Sequence, residues 1–518
     1  MISSAAKATV EAPDLAVLVA QQQQLIQGLQ QQIRLLQEKV NYLTQQRFGR
    51  KSEQLEAVGQ GTLFDQPAVD STPEVEPPLD DEAPLKARKP GGRRRPPPEL
   101  PRLRIEHDLP EADQTCACGC QRQRIGEAVS EQYDVEPPRF RILQHVRYTY
   151  ACPRCDQGIV TAPKAADPLP RAQVSPALLA WIGAGKYVDG LPLHRQARIL
   201  SQRFGVDFTT ATLSQWMIQS AEQLLKPLVA AMEPVLRRCD YLHMDETTLQ
   251  VLDEPGRYAW QKSYLWVRAS GSGPPMILLD YHASRAGAVA DRLLDGFAGY
   301  LHVDGYSGYN GPAARDDIVV LGCWAHVRRK FDAALKASGR HSRQGVLAHA
   351  ALTQIAQLYR IERAVRALAD DQQLAERQRS RPLLDALRQW LDRHLDEAAA
   401  LGGQLASACG YLHHQWPRLQ VFLQDPRLQL DNNRVENHIR PIALGRKNWL
   451  FCQSPAGAHA AALWYSVVET AKANGWEPYH YLRWLFTELP ARLQQGLSLE
   501  PLLPWVAAPQ SGGMLGRG

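Results

Sequence analysis

The chain has 518 residues, with 59 Lys and Arg against 54 Asp and Glu, a formal net charge of +5 and nine cysteines. That length exceeds one ordinary domain and fits roughly three or four units, and so small a basic excess does not by itself establish nucleic-acid binding. The cysteines do not form a secreted disulfide pattern, no apolar signal core opens the sequence and no run reaches a membrane span, so a reducing cytoplasm is expected.

The first expected element is a coiled-coil helix over 15–56. Ile26, Ile33 and Val40 occupy one heptad position and Leu29, Leu36 and Leu43 the other, with spacings alternating three and four. β-branched residues at the first position and Leu at the second favour a parallel two-stranded coil, hence a homodimer or a higher oligomer. The competing reading is one amphipathic helix packed on its own protein. From 57 to 101 the composition is Pro-rich, acidic from Asp65 to Glu82 and basic from Lys86 to Arg95. Such a stretch cannot bury a core and reads as a disordered linker. Its Arg93, Arg94 and Arg95 are either phosphate contacts or a solvated run.

Over 102–165 a small zinc-finger-like domain is expected. Cys116, Cys118 and Cys120 are followed some thirty residues later by Cys152 and Cys155. Two close pairs so separated can hold one structural Zn²⁺ in four thiolates. Cys152 and Cys155 have the usual two-residue spacer. In the first group Cys116 with Cys120 fits better, with Cys118 as the alternative and free buried thiols as the rival reading.

Residues 170–235 read as short helices. Pro192–Phe204, a turn beginning at Gly205, and Ala211–Ser220 opened by Thr follow the helix-turn-helix pattern. In that pattern Thr209, Thr210, Thr212, Ser214 and Gln215 face a DNA groove while Leu213, Trp216 and Met217 pack inward. An ordinary helical bundle is the alternative.

The segment 236–460 carries the chemistry. Tyr241–Gln250 is a buried strand with Asp245 on one face and Glu246 on the other. Strands follow at Ser263–Ala269 and Met276–Tyr281, then a helix over Ala286–Leu294, a strand ending at Asp304 and another at Ile318–Cys323. Gly305 is expected to permit a sharp turn. Trp324–Lys330 supplies Arg328, Arg329 and Lys330 for phosphates, and His326 to orient a carboxylate or a water. A helical insertion is expected over about 333–423. Asp431 or Asn432 then caps a helix with Glu436 and Arg440 one turn apart, followed by Arg446, Lys447 and Trp449 as strand-gripping candidates. Asp245, Asp304 and Glu436 can together hold two divalent cations, a site suited to phosphodiester chemistry. Asp280 and Glu469 are rival acids, the first read as structural and the second as a core carboxylate without supporting hydrogen bonds. The remainder, 461–518, is a helical segment and a tail.

His243-Met-Asp-Glu-Thr247, His302-Val-Asp-Gly-Tyr306, Cys323-Trp-Ala-His-Val-Arg-Arg-Lys-Phe331 and the run Asp431–Phe451 carry a resemblance. From about Leu25 to Leu489 the chain resembles the bacterial insertion sequence 66 family of DDE transposases. Arg47–Glu53, and Arg124–Glu127 with Val129–Gln132 after the first cysteines, belong to the same likeness. It implies a multidomain α+β protein whose α/β catalytic core is ribonuclease H-like. Two Mg²⁺, or Mn²⁺, would lie on Asp245, Asp304 and Glu436, with structural Zn²⁺ in the finger-like segment. The implied activity is DNA strand cleavage and transfer at terminal inverted repeats. Implied partners are transposon and target DNA, with two small accessory proteins often encoded nearby; the implied location is the bacterial cytoplasm, at the nucleoid when DNA-bound. The alternatives are a metal-dependent structure-specific nuclease and a catalytically inactive DNA-binding repressor.

Overall fold

The computed structural model describes residues 159–507 without a break, 140–150, positions 103–105, 130 and 132, and parts of a helix between 19 and 40. Arg93–Arg95, the five cysteines Cys116, Cys118, Cys120, Cys152 and Cys155, and Leu43 lie outside the described residues. Ile26, Leu29, Ile33, Leu36 and Val40 are helical and each at least 50 % exposed, so this chain alone leaves its apolar stripe uncovered. Residues Met1–Val69 with Lys164–Gly518 form one compact unit and Asp70–Pro163 another. In the second, Thr149–Tyr150 pairs antiparallel with Val160–Thr161.

The larger unit opens with α1 (Pro176–Tyr187), α2 (Leu193–Phe204) and α3 (Thr210–Ser220). The α2–α3 turn forms for local reasons. Gly205 sits at φ 64° and its N–H closes the end of α2 on Ser201, while Thr209 Oγ1 caps α3 by accepting from Thr212 N at 3.1 Å. Leu213, Trp216 and Met217 are buried, as the pattern predicts. A single π-helical turn, Ala221–Leu225, then carries the chain into α4 (Lys226–Arg237).

Five strands form one sheet: β1 (Tyr241–Gln250), β2 (Lys262–Ser270), β3 (Ile277–His282), β4 (Gly299–His302) and β5 (Ile318–Leu321). Their spatial order is β3-β2-β1-β4-β5. The first three pair antiparallel, and β4 and β5 run parallel to β1. The β3–β4 crossover contains α5 (Gly287–Leu293). Gly299, at φ 127°, is required where β4 meets β1, because a Cβ there would lie 2.2 Å from Asp240 O. β4 ends at His302 opposite His243, so the β1–β2 hairpin projects beyond it.

From β5 the chain enters α6 (Trp324–Ser338), α7 (Arg343–Val365), α8 (Asp370–Arg377), α9 (Ser380–Leu401) and α10 (Gly403–Leu419). This insertion has its own core of Trp324, Phe331, Trp390, Leu391 and Leu412, continuous with Tyr241 and Leu321 of the sheet. A buried pair, Arg377 Nε to Glu362 at 2.7 Å, tethers α8 to α7. The chain returns as α11 (Asn433–Trp449), α12 (Pro455–Ala473) and α13 (Pro478–Gln495). An edge strand leaves backbone groups unpaired, and α12 satisfies those of β3. Thr470 Oγ1 accepts from Ile277 N at 3.0 Å and donates to Ile277 O at 2.9 Å, and Ser466 Oγ accepts from Leu279 N at 2.8 Å. Among the described residues no helix is long and apolar enough to cross a membrane.

Candidate active site

Asp245 stands on central strand β1, Asp304 two residues past β4 and Glu436 in the first turn of α11. Sequence distance between β1 and α11 is bridged by Asn432, which is fully buried. Its Oδ1 accepts from His243 Nδ1 at 2.8 Å, its Nδ2 donates to Met244 O at 3.0 Å, and its N–H donates to Cys323 Sγ at 3.2 Å. Asn432 holds the N-cap position, yet its side chain leaves the helix for β1 and makes no cap bond. Asp431 Oδ1 instead accepts from Asn433 N at 3.2 Å. The expected capping is thereby divided: Asp431 tends the helix start and Asn432 fastens it to the strand bearing Asp245.

The aspartates are steadied by backbone. Asp245 Oδ1 accepts from Glu246 N at 2.8 Å, and Asp304 Oδ1 from Tyr306 N at 2.9 Å. The chain bends at Gly305 as expected, but without a positive φ. A Cβ there would stand 2.4 Å from the Tyr411 ring of α10, so the residue is small to let the insertion close on the Asp304 turn. Glu246 faces away from Asp245. Its side chain is 1 % exposed, paired with Arg285, and accepts from Tyr309 Oη at 2.6 Å. Arg285 also stacks on Tyr306 at 3.7 Å, tying Glu246 to the Asp304 turn.

Glu436 is bound by α6: Arg329 donates to both its oxygens, at 2.6 Å for Oε2, and His326 Nδ1 lies 3.7 Å from Oε1. Asn433, Asn437 and Arg440 are the neighbours the sequence suggests, but the ion pair comes from another helix. Among the described residues, the one His/Cys/Asp/Glu trio with donor atoms all within 4.8 Å is Cys323, His326 and Glu436. Asp245, Asp304 and Glu436 are therefore farther apart than that. They nonetheless act on one another. Burial first, then the charges of Glu246, Asp304 and Glu436, push the Asp245 carboxyl well above its usual range. Burial raises Asp304 also, against the Tyr306 N–H and the cations Arg285, Arg329 and Lys330. Oxygen donors whose negative charges oppose each other suit a hard divalent cation, which would relieve the repulsion. Burial, then Arg329 and Lys330, lowers His326 to about 3, so its imidazole is neutral.

The other expected contacts separate. Lys330 lies 4.8 Å over the Tyr411 ring, and Arg328 is buried. Arg446 turns inward onto Thr248 of β1 and Trp449 lies under Lys186 of α1, at 5.2 Å, so neither is the open strand-gripping group expected. Lys447 and Arg440 are exposed on α11, as are Thr210 and Gln215 on α3, whereas Thr212 is half-buried and bonds Thr209. Asp280 pairs with buried Arg268 at 2.8 Å, a cation it shares with Glu233. Glu469 is not unsupported: it accepts from His438 Nδ1 at 2.9 Å and Lys472 Nζ at 2.8 Å. Arg285, Tyr309 and Cys323 escaped the sequence reading as parts of this neighbourhood; only the proximity of Arg285 to the Glu246 and Asp304 motifs once folded gives them away.

Comparison with known proteins covers nearly the whole chain. Residues 171–460 match the model of the transposase IS66 family, 113–156 that of its zinc-finger binding domain, and 466–505 that of its C-terminal element. Residues 35–105 match a model described as transposase C of IS166 homeodomain. Two uncharacterized proteins of Sinorhizobium fredii are similar over most of their length. One, y4jD, is 32 % identical across 79 % of this chain and 81 % of its own; the other, y4qI, is 33 % identical across 79 % and 76 %. With more than half its length under one family model and its cation-suited acids at the centre of that match, the chain belongs to the IS66 transposase family.

Proposed function

We propose that the protein cuts DNA at the terminal inverted repeats of its element and joins the freed ends to target DNA. The observation carrying this reading is the placing of Asp245, Asp304 and Glu436 on three separate elements, with Asn432 fastening the helix of Glu436 to the strand of Asp245, the carboxyl of Asp245 being raised by burial and by the other acids. The strand order β3-β2-β1-β4-β5, antiparallel then parallel, supports a ribonuclease H-like core.

Asp245, Asp304 and Glu436 would hold two Mg²⁺ or Mn²⁺, which activate the attacking hydroxyl and stabilise the leaving oxygen. The residues do the rest by position. Backbone N–H groups fix one oxygen of each aspartate, and Asn432 fixes the helix that presents Glu436. In cleavage, water oxygen attacks phosphorus, the P–O3′ bond breaks and the 3′ oxygen leaves protonated. In transfer, that 3′-hydroxyl attacks a target phosphodiester in the same way. No covalent protein intermediate forms, since the site relies on ligand acids and not on a Ser, Cys or Tyr nucleophile. Exposed Thr210, Gln215, Arg440 and Lys447 supply DNA contacts in this reading, and Arg93–Arg95 are further candidates by their charge. A Zn²⁺ on Cys152, Cys155 and two of Cys116, Cys118 and Cys120 would be structural, and the apolar stripe Ile26–Val40 would pair two chains.

The test uses the full chain, labelled DNA carrying the repeats that flank its gene, Mg²⁺ and a target plasmid. Joined end–target products are expected. Nicked ends that are never joined would replace transposition with a nuclease, and binding without nicks would replace it with a repressor.

A further inference from the structure

The loop at the tip of the β1–β2 hairpin holds two large aromatic side chains in the open. Tyr258 is 70 % exposed and Trp260 74 %, and their rings lie parallel, 7° apart with centroids 5.9 Å from each other. Isolated apolar residues on a surface are ordinary, but two parallel, stacked rings on one loop present exposed flat π faces as an apolar platform. The loop is also stiff. Gln261 binds Tyr258 twice, its side-chain oxygen accepting from Tyr258 N at 2.9 Å and its N–H donating to Tyr258 O at 2.9 Å. Gln250 Nε2 donates to Ala259 O at 2.9 Å, and Arg257 donates to Lys262 O at 3.0 Å.

The platform stands at the end toward which both acid-bearing elements run. Asp245 and Gln250 are five residues apart on β1, or about 17 Å at 3.3 Å each. Glu436 and Trp449 are thirteen apart on α11, or about 20 Å at 1.5 Å each. Both elements lead to the same end, because the chain following α11 pairs with the chain following β1: Cys452 N donates to Gln250 O at 2.9 Å and Leu252 N to Cys452 O at 3.1 Å. Exposed Phe451, Lys447 and Lys262 border that junction. A DNA strand with its scissile phosphate at the acids would reach the platform after roughly five or six nucleotides, at 3.4 Å apiece.

From this we infer that Tyr258 and Trp260 are a stacking platform for an unpaired base of single-stranded DNA near the cleaved end. The occupant follows from flat π faces that accept any base, lysines beside them for the backbone, and a direct run to the acids. The inference deepens the transposase reading and rests on it for the identity of the strand.

The experiment measures binding of fluorescein-labelled twelve-residue oligo-dT, and of a twelve-base-pair duplex, by anisotropy with the full chain and without divalent cation. Trp260→Ala should weaken oligo-dT binding by about 5- to 150-fold, the effect of losing one stacked base, and leave duplex binding within about twofold. Trp260→Phe should retain most of the affinity, and unchanged thermal midpoints would exclude misfolding. Undiminished oligo-dT binding by Trp260→Ala would overturn the inference, and so would a shift in sedimentation alone, which would give this surface to a second copy of the chain. Because no cleavage is read, the result is separable from the activity assay.

Discussion

His243 and Asn432 stand 189 residues apart in sequence and 2.8 Å apart in the fold, His243 Nδ1 donating to Asn432 Oδ1. The pair fixes the tautomer of a fully buried imidazole and anchors α11 two residues before Asp245 along β1. Replacing Asn432 by Ala removes two side-chain hydrogen bonds and strands a buried donor on His243 and an acceptor on Met244, while the backbone N–H still reaches Cys323 Sγ. A loss of about 2–3 kcal/mol in unfolding free energy is expected by urea titration. End cleavage should fall much further than end binding, because Glu436 loses its place while exposed phosphate contacts remain. Equal losses in both would mean that Asn432 serves stability alone.

Arg329 competes with any cation for Glu436. In the structure the guanidinium donates to both carboxylate oxygens, so a metal must take Glu436 from it. Arg329→Ala should lower the Mg²⁺ concentration giving half-maximal cleavage by up to about fivefold, the equivalent of the ~1 kcal/mol upper end for a partly exposed ion pair. Unchanged Mg²⁺ dependence in the variant would mean that the pair persists with metal bound. Maximal rate is a separate readout, since Arg329 is also placed to meet DNA phosphate.

Glu469 provides the contrast. Burial pulls its carboxyl upward, but the His438 hydrogen bond and Lys472 outweigh burial and hold it below the usual range. A depressed carboxyl adds stability above its unfolded pKa, near 4.5, and that stability is lost as pH falls through the folded value. Glu469→Gln should therefore cost about 1–2 kcal/mol at pH 7, and the difference from wild type should shrink as pH falls below 4.5 and through the folded value. Its cleavage activity should survive in the folded fraction. A variant as stable as wild type at pH 7 would contradict the ion-pair assignment.

What the sequence reveals here follows from how local each cause is. Gly205 and Thr209 end and begin helices through contacts within six residues, so the α2–α3 turn is legible from the chain. The interleaving of apolar and polar residues up to Asp245 likewise marks β1, and the acids stand out as polar points beside apolar runs. The couplings that make a site of them span the chain. Asn432 reads as a helix cap because its strand partners are 188 and 189 residues away. Arg446 reads as a free cation because Thr248 is 198 residues distant. Gly305 reads as a turn glycine because nothing nearby announces the Tyr411 ring. Glu469 looks unsupported among Val467, Val468 and Ala471 because His438 approaches from another helix.

The central claim is that Asp245, Asp304 and Glu436 form one cation-holding site for DNA cleavage. The most direct measurement compares wild type, Asp245→Asn, Asp304→Asn and Glu436→Gln for binding and Mg²⁺-dependent nicking of the same labelled repeat ends. Each variant should bind the ends and fail to nick them, because affinity comes mainly from phosphate contacts elsewhere. Normal nicking by folded Glu436→Gln protein would contradict the account and move the third role away from Glu436.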